Sequence, residues 1–316
     1  MTRFPIDARR RILRAWILGF GALCALLAPA WSTPATAQTT PAAEELSFTR
    51  PESWVLAHFT AASLLSGLDT PRSRPPGSVA LGVEFVWLPT LDATERRVGF
   101  NGTEEEDLNK TSLMPRLRVT VGLPGRFSAI VAATPPVRMF GLKATLVAFA
   151  LERPLVETPR WTVGLRGSGQ LGSVRGDFTC PASVLAFAPG AAGNTAGCDA
   201  ASNDVASLHY VGGETSVAYR PRRWSRLSPH AAIGVTYMDV GFQVDALTFG
   251  FADHTSYISH GTVASASVGL SYRLASRITL GVDAFYAPLW VRRSAGQPLQ
   301  NDGLLNVRAL VTYRLR

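Results

Sequence analysis

Apolar and polar residues alternate along ten separate segments of this chain. The last of them, LLNVRALVTYRLR at 304–316, places Leu305, Val307 and Val311 on one face and Asn306 and Arg308 on the other. A period of two predicts a β-strand with one apolar and one polar face. A strand at a chain terminus stays ordered when a neighbour pairs with it. The ten segments therefore predict an all-β fold whose final strand is paired.

One of the ten segments changes phase. Its apolar positions share one face from Ala231 to Tyr237 and then move to the other face from Met238 to Val244. Such a change predicts either a β-bulge or a strand that passes from one environment into another.

The connections between the segments alternate in length. Long connections are predicted at about 89–112, 173–207, 239–261 and 290–303, whereas those between them are short or moderate. Transmembrane β-barrels keep short turns at one rim and long loops at the other. The pattern therefore predicts a transmembrane antiparallel up-and-down β-barrel of about ten strands, in which the last strand pairs with the first near 78–89. The alternative is a soluble sandwich or barrel.

The first part of the chain differs from the barrel segment, 77–316. Residues 1–37 combine a basic start, an apolar run and the small residues Ala35-Thr36-Ala37, an order typical of a cleaved export leader. The mature chain would then begin at Gln38 with an extension over 38–76. Apolar positions within 52–68 predict a short helix, at the periplasmic rim or inside the lumen. A strand there would instead give a count of eleven, whereas single-chain bacterial barrels have an even count, and twelve strands are the alternative.

Net charge and cysteine content restrict further the class of protein that the sequence can encode. The net charge of +8 falls to about +4 without the leader, and the remaining arginines are scattered rather than clustered on a helix, so nucleic acid is not an expected partner. Outside the leader the cysteines are Cys180 and Cys198. In an exported protein they are expected to form a disulfide, which stabilises by about 3 kcal/mol in the chain-entropy model.

In these features the chain resembles small bacterial outer-membrane β-barrel proteins of the porin-like or transporter-like kind. The resemblance covers about 77–316 and rests on architecture rather than on a motif. It implies an outer-membrane location, contact with outer-membrane lipid and lipopolysaccharide, and insertion by the barrel-assembly machinery. Members commonly end in an aromatic residue, whereas this chain ends Tyr313-Arg314-Leu315-Arg316.

Charged residues on the polar faces are the candidate functional set. If those faces line the lumen, the charges form either an internal salt-bridge network or a narrow passage, since rings of charge set pore selectivity. Arginine exceeds acid in the set, which favours small polar or anionic solutes. The candidates are Glu84, Arg116, Arg118, Lys143, Arg166, Glu214, Arg273, Asp283 and Arg308.

The expected function is therefore a narrow passive pore. The alternative is a non-conducting structural or ligand-binding barrel, and a distant one is a hydrolase at the outer rim, where His254 and His260 lie near acids. No catalytic set, metal site or cofactor is predicted. The acidic run 104–107 is expected to be a solvated loop tip, with a bridging divalent cation as the other possibility.

Overall fold

The computed structural model describes residues 43–139, 141–294 and 296–315. The predicted export leader lies outside the described residues. No helix within them is long and apolar enough to cross a membrane.

Ten long antiparallel strands form the body of the molecule, and each pairs with its neighbours in chain order. They are β1 (Val79–Trp87), β2 (Leu113–Gly122), β3 (Ser128–Ala133), β4 (Leu142–Glu157), β5 (Trp161–Gly176), β6 (Asp204–Tyr219), β7 (Leu227–Gln243), β8 (Ser256–Arg273), β9 (Ile278–Ala287) and β10 (Leu304–Arg314).

The sheet closes on itself through its last strand. β10 pairs with β9 on one side and with β1 on the other, where Val311 lies opposite Val83 and Tyr313 opposite Leu81. Closure pairs the first strand with the last, as a β-structure in lipid requires. The predicted barrel of about ten strands, with its last strand paired to the first, is confirmed.

Short helices, turns and strands accompany the ten barrel strands. The helices are α1 (Pro51–Ala62) and α2 (Gly99–Gly102), with 3-10 turns at Pro124–Arg126 and Ala182–Ala186. Two-residue strands at Glu44–Glu45 and Arg138–Met139 attach to β8 and β4. Small hairpins join Arg97–Val98 to Glu104–Glu105, Ala246–Thr248 to Phe251–Asp253, and Trp290–Val291 to Gln300–Asn301.

The two rims differ as the sequence predicts. Connections 88–112, 177–203, 244–255 and 288–303 lie at one rim, and the short connections 123–127, 158–160, 220–226 and 274–277 lie at the other. Because long loops face outward in outer-membrane barrels, the first is here called the outer rim and the second the inner rim.

The outward face of the barrel is apolar. Leu171, Val211, Ile233 and Leu305 expose 61%, 61%, 69% and 62% of their surface, far more than core residues do. A continuous apolar surface of this extent fits a lipid environment rather than water. Aromatic residues lie at both ends of the band: Trp87 and Tyr286 towards the outer rim, and Trp161, Tyr219, Tyr272 and Tyr313 towards the inner rim.

The N-terminal extension occupies the interior of the barrel. Helix α1 fills its outer half, where the buried Trp54 donates its indole N–H to the carbonyl of Asp302 at 2.9 Å. The chain then runs down the lumen and reaches the inner rim, where the amide of Gly77 donates to the carbonyl of Gly122 at 2.9 Å. The predicted helix is present inside the lumen, and its placement at the periplasmic rim is wrong.

The phase change in β7 does not arise from a bulge. Pairing between β7 and β8 continues without interruption from Leu227 to Gln243. Even-numbered residues face inward along this whole stretch, and the inward Met238 and Val240 pack in the core that contains α1. The second explanation is therefore the right one, because the interior becomes apolar where the helix fills it.

The longest outer loop is organised around a disulfide and one carboxylate. Cys180 and Cys198 are bonded with an S–S distance of 2.01 Å, which confirms the predicted pair. Beside them Asp204 accepts the amides of Phe178 and Thr179 and the hydroxyl of Ser202 at 2.7–3.0 Å. This carboxylate supplies acceptors to backbone amides and a hydroxyl at the two buried ends of the loop.

The closing register gives a testable prediction. The double variant V83C/V311C places two cysteines at directly opposed positions, within the Cα separation that a disulfide requires. Mild oxidation should join them, detectable by mass spectrometry after digestion. V83C/V307C, four residues out of register, should stay reduced, and equal crosslinking in both would contradict the closure.

Candidate functional site

The centre of the barrel holds a seven-residue stretch, Ser63–Asp69, here called the plug segment. It follows α1 and has no regular secondary structure. Its backbone groups therefore need partners from elsewhere, since a buried unpaired amide or carbonyl is costly. The barrel wall supplies them.

Wall side chains accept hydrogen bonds from three plug amides. The amide of Leu65 donates to the hydroxyl of Tyr210 at 2.8 Å, that of Gly67 to Oε2 of Glu214 at 2.8 Å, and that of Leu68 to Oδ2 of Asp283 at 3.0 Å. The acceptors come from two different strands, β6 and β9. The plug segment is thus held across the lumen from several directions.

Three wall arginines donate to plug carbonyls. Arg116 Nη1 reaches the carbonyl of Ser63 at 2.6 Å, Arg308 Nη1 reaches that of Leu64 at 3.3 Å, and Arg166 Nη1 reaches that of Gly67 at 3.1 Å. Each arginine lies on a different strand. Together with the three acceptors they tie the plug backbone to the wall.

The same arginines pair with acids of the wall. Arg116 contacts Glu84, Arg308 contacts Asp283 at 2.6 Å, and Arg166 contacts Glu152 and Glu214 at 2.8 and 2.7 Å. In every case the two partners lie directly opposite each other on adjacent strands: Glu84–Arg116, Asp283–Arg308, Glu214–Arg166 and Glu152–Arg166. Opposed charges of opposite sign are the favourable cross-strand arrangement.

The plug also contributes a charge of its own. The Oδ1 atom of Asp69 lies 2.7 Å from Arg166 and 3.4 Å from Arg118. All the wall charges involved are almost completely buried, and buried charges persist only when paired and hydrogen-bonded. The interior is therefore a closed salt-bridge network that includes the plug backbone.

Gly67 explains why the plug fits. Its φ of +64° is left-handed, and a Cβ at this position would run into Asp283 and Arg308. Only glycine provides both the backbone conformation and the close approach. At Gly67 the backbone of the plug segment therefore contacts the wall directly, and no space remains for a side chain.

Seven of the nine predicted lumen residues lie buried inside the barrel. Lys143 is a correction: the inward positions of β4 are the even-numbered ones, such as Leu146 and Ala148, so Lys143 points outward and is exposed. Arg273 is a second correction, since it has inward phase but lies at the inner rim and is exposed.

Sequence reasoning missed several residues of the network. Glu152 has the same inward phase as Ala150 on β4, which extends to Glu157. Tyr210 accepts from a plug amide 145 residues away in the chain, a partner that local sequence does not indicate. Asp69 could not be found from alternation at all, because the plug segment has none.

A cavity of about 370 Å³ lies above α1 at the outer rim. The described aromatic side chains that line it are Phe59, Phe178, Phe242 and Tyr257, and its acids include Glu52 and Glu106. This space, here called the outer cavity, is separated from the inner rim by α1 and the plug segment.

The acidic run predicted as a loop tip is divided among different surroundings. Glu105 pairs with Arg96 at 2.7 Å and Asp107 with Lys110 at 2.9 Å, whereas Glu106 turns into the outer cavity. Glu106 has no ion-pair partner among the described residues. Burial, and then the nearby Asp204, raise the pKa of Glu106 to about 8.

The rim histidines contact acids weakly. Nδ1 of His254 lies 3.5 Å from Asp245, and Nε2 of His260 lies 3.3 Å from Glu45, and all four side chains are exposed. These separations exceed the usual reach of a catalytic hydrogen bond, about 2.6–3.2 Å. The described residues also contain no cluster of three or more His, Cys, Asp or Glu suited to a metal ion.

The fold is that of a bacterial outer-membrane β-barrel. Closure, rim asymmetry, the apolar band and the aromatic belts together establish this. No protein-family model and no curated protein matches the chain.

Three solved structures with a similar fold are distant from this chain in sequence. The attachment invasion locus protein Ail of Yersinia pestis is 11% identical, with a TM-score of 0.27, over 76% of this chain and 99% of that one. The outer-membrane protease OmpT of Escherichia coli is 10% identical, with a TM-score of 0.37, over 75% and 92%. The toluene transporter TodX of Pseudomonas putida is 14% identical, with a TM-score of 0.32, over 85% and 77%. Similarity at this level extends neither to a ligand nor to an activity.

A double-mutant cycle tests the network. Asp283→Asn leaves Arg308 buried beside a neutral partner and should lower the free energy of unfolding by about 3 kcal/mol, a cost typical of a broken buried pair. Combined with Arg308→Met it should cost clearly less than the sum of the single variants. Urea unfolding in detergent measures both, and the exposed Arg273→Gln serves as the near-neutral control. Additive effects would contradict direct coupling.

Proposed function

We propose that this protein is a sealed outer-membrane barrel that binds a ligand at its outer mouth and does not pass solutes through its lumen. The observation that carries the proposal is the plug segment, whose backbone is bonded to wall residues on several strands. An irregular segment held in this way lies across the lumen and obstructs a polar path along the axis. We also propose that residues 1–37 are a cleaved export leader, which their composition supports.

The passive pore expected from the sequence has less support. It relies on inward-facing charges that could line a passage, and the excess of arginine indicates only the charge of the solute. Arg116, Arg166 and Arg308 are each engaged both by wall acids and by plug carbonyls. Their charges are therefore satisfied internally and do not form a free ring for an anionic solute.

The outer cavity supplies the binding site of the proposal. Arg50 is the one cation among the described lining residues, and it is paired with Glu52 at 3.0 Å. Of the other lining acids, Glu44, Asp253 and Glu106, it is Glu106 that is buried against the apolar and aromatic walls. Aromatic faces and a carboxylate together favour a cation attached to an apolar body. We propose a ligand of that class, opposite in charge to the solutes expected from the sequence.

A rim hydrolase is not proposed. Among the described residues no nucleophile is hydrogen-bonded to His254, since the hydroxyl of Thr255 donates to Asp253, and the His254–Asp245 separation is at the limit of a hydrogen bond.

Conductance separates the sealed barrel from the pore. In a planar bilayer the wild-type protein should give no discrete current steps. Gly67→Phe should open steps, because a phenyl group does not fit between Asp283 and Arg308 and would displace the plug segment together with α1, which is continuous with it.

Gly77→Phe is the matched control for this measurement. Gly77 has a similar left-handed φ of +78°, but a Cβ there meets no atom within 4 Å. Both variants carry the same kind of backbone strain, and only Gly67→Phe disturbs the lumen. Regular current steps from the wild-type protein would show a pore and overturn the proposal.

Ligand binding should depend on pH through Glu106. Phenyltrimethylammonium carries a permanent positive charge, so any pH dependence of its affinity comes from the protein. Since the pKa of Glu106 lies near 8, the carboxyl is mostly protonated at pH 6.5 and mostly charged at pH 9. Calorimetry should show affinity rising about tenfold over this range, a difference of 1.4 kcal/mol.

Two controls accompany this titration. Glu106→Gln should bind weakly at both pH values, and the uncharged tert-butylbenzene should bind the wild-type protein without pH dependence. If the pH dependence of binding persists in Glu106→Gln, then Glu106 is not the group that binds the cation.

A further inference from the structure

Three cations lie side by side on the outward surface of the barrel near the outer rim. Arg138 is the direct cross-strand partner of Lys143, and Lys143 is the direct partner of Arg175 on β5. Cross-strand partners share a face, and all three residues are exposed. This group is here called the cation row.

The cation row lacks internal compensation. In the part of the chain that the structure describes, none of the three forms an ion pair with an acid. Asp177, which lies close to Arg175 in sequence, is held by Lys110 at 2.9 Å. Directly opposed like charges destabilise a sheet, so the row is expected to be neutralised by an anion from outside the chain.

The height of the cation row indicates where that anion would be. Val147 and Leu171 lie four residues from Lys143 and Arg175 along the same outward faces, and they expose 45% and 61% of their surface. They belong to the apolar band, so the row begins where the band ends. This is the level of the lipid headgroups on the outer side.

The wall has a gap beside the cation row. β3 ends at Ala133, opposite Leu117 of β2, and β2 continues from there to Leu113. On this edge no backbone pairing is described for β2 between Leu113 and Arg116. A stretch of strand without a partner leaves an opening between β2 and the connection 134–141.

An apolar cavity of about 110 Å³ occupies this opening. Its lining includes Leu113 from the outward face of β2 and Met114 from the inward face, so the cavity passes through the wall. Met139 and Leu142, which adjoin the cation row in sequence, also line it. An apolar opening and a group of cations thus lie together at the lipid interface.

We propose that this place binds a phosphate-bearing lipid of the outer leaflet, with a phosphate on the cation row and the end of one acyl chain in the wall cavity. Arginine and lysine are the residues that bind phosphate, and arginine does so with two parallel hydrogen bonds. The cavity is smaller than the 150 Å³ apolar cavity that holds a benzene ring, so it admits the end of a chain rather than a whole lipid. The inference is independent of the ligand proposed for the outer cavity.

Binding of bisphosphorylated lipid A by the full-length mature chain in a neutral detergent tests this site. The triple variant R138Q/K143Q/R175Q should bind it at least tenfold more weakly than the wild type, measured by native mass spectrometry. R222Q/R223Q/R226Q removes three exposed arginines at the opposite rim and should bind as the wild type does. The wild type should prefer the bisphosphorylated lipid over its dephosphorylated form.

A second variant tests the acyl chain. Ala144→Trp fills the wall cavity and leaves the cation row intact, so it should also weaken lipid binding. Inorganic phosphate at an equal phosphate concentration should displace little lipid from the wild type. Unchanged binding by the first triple variant, an equal loss in the control triple variant, or full displacement by inorganic phosphate would each overturn the proposal.

Discussion

The structure depends on one arrangement: charged side chains of the barrel wall bond to the backbone of a chain segment without regular structure. A segment of this kind inside a barrel brings amides and carbonyls that neither water nor a sheet partner satisfies. Charged residues on the wall have the complementary difficulty, because burial is costly for an unpaired ion. Here the wall charges satisfy the backbone groups of the segment, and those backbone groups supply partners to the buried charges. Arg166, for example, bonds to two wall acids, to a plug carbonyl and to Asp69.

The interior changes character along the barrel axis for the same reason. The outer half holds a helix, whose backbone hydrogen bonds are satisfied internally, so its surroundings can be apolar. Met238, Val240 and Phe285 face α1 there. The inner half holds the plug segment, whose surroundings must be polar, and Glu214, Asp283 and Arg308 face it. The wall thus matches the hydrogen-bonding needs of the chain it encloses.

The barrel itself could be predicted from the sequence because it depends on period-two alternation and on connection length. The cross-strand pairs could not be predicted in this way. Alternation tells only which face a side chain is on, whereas the register between two strands decides whether Arg116 lies opposite Glu84. The plug segment could not be predicted for a different reason. Its leucines continue the apolar spacing of α1, yet the helix ends at Ala62, and the left-handed Gly67 and Leu68 follow. Long-range acceptors on the wall, invisible in local sequence, hold that conformation.

Hydrogen–deuterium exchange of the plug amides tests the central claim most directly. In the refolded protein, Leu65, Gly67 and Leu68 donate to wall side chains and should exchange as slowly as amides in the middle of the barrel strands. Asp283→Asn should speed exchange in the peptide that contains Leu68 more than in the strands. Exchange of the wild-type plug amides as fast as those of the outer loops would contradict a plug held by the wall.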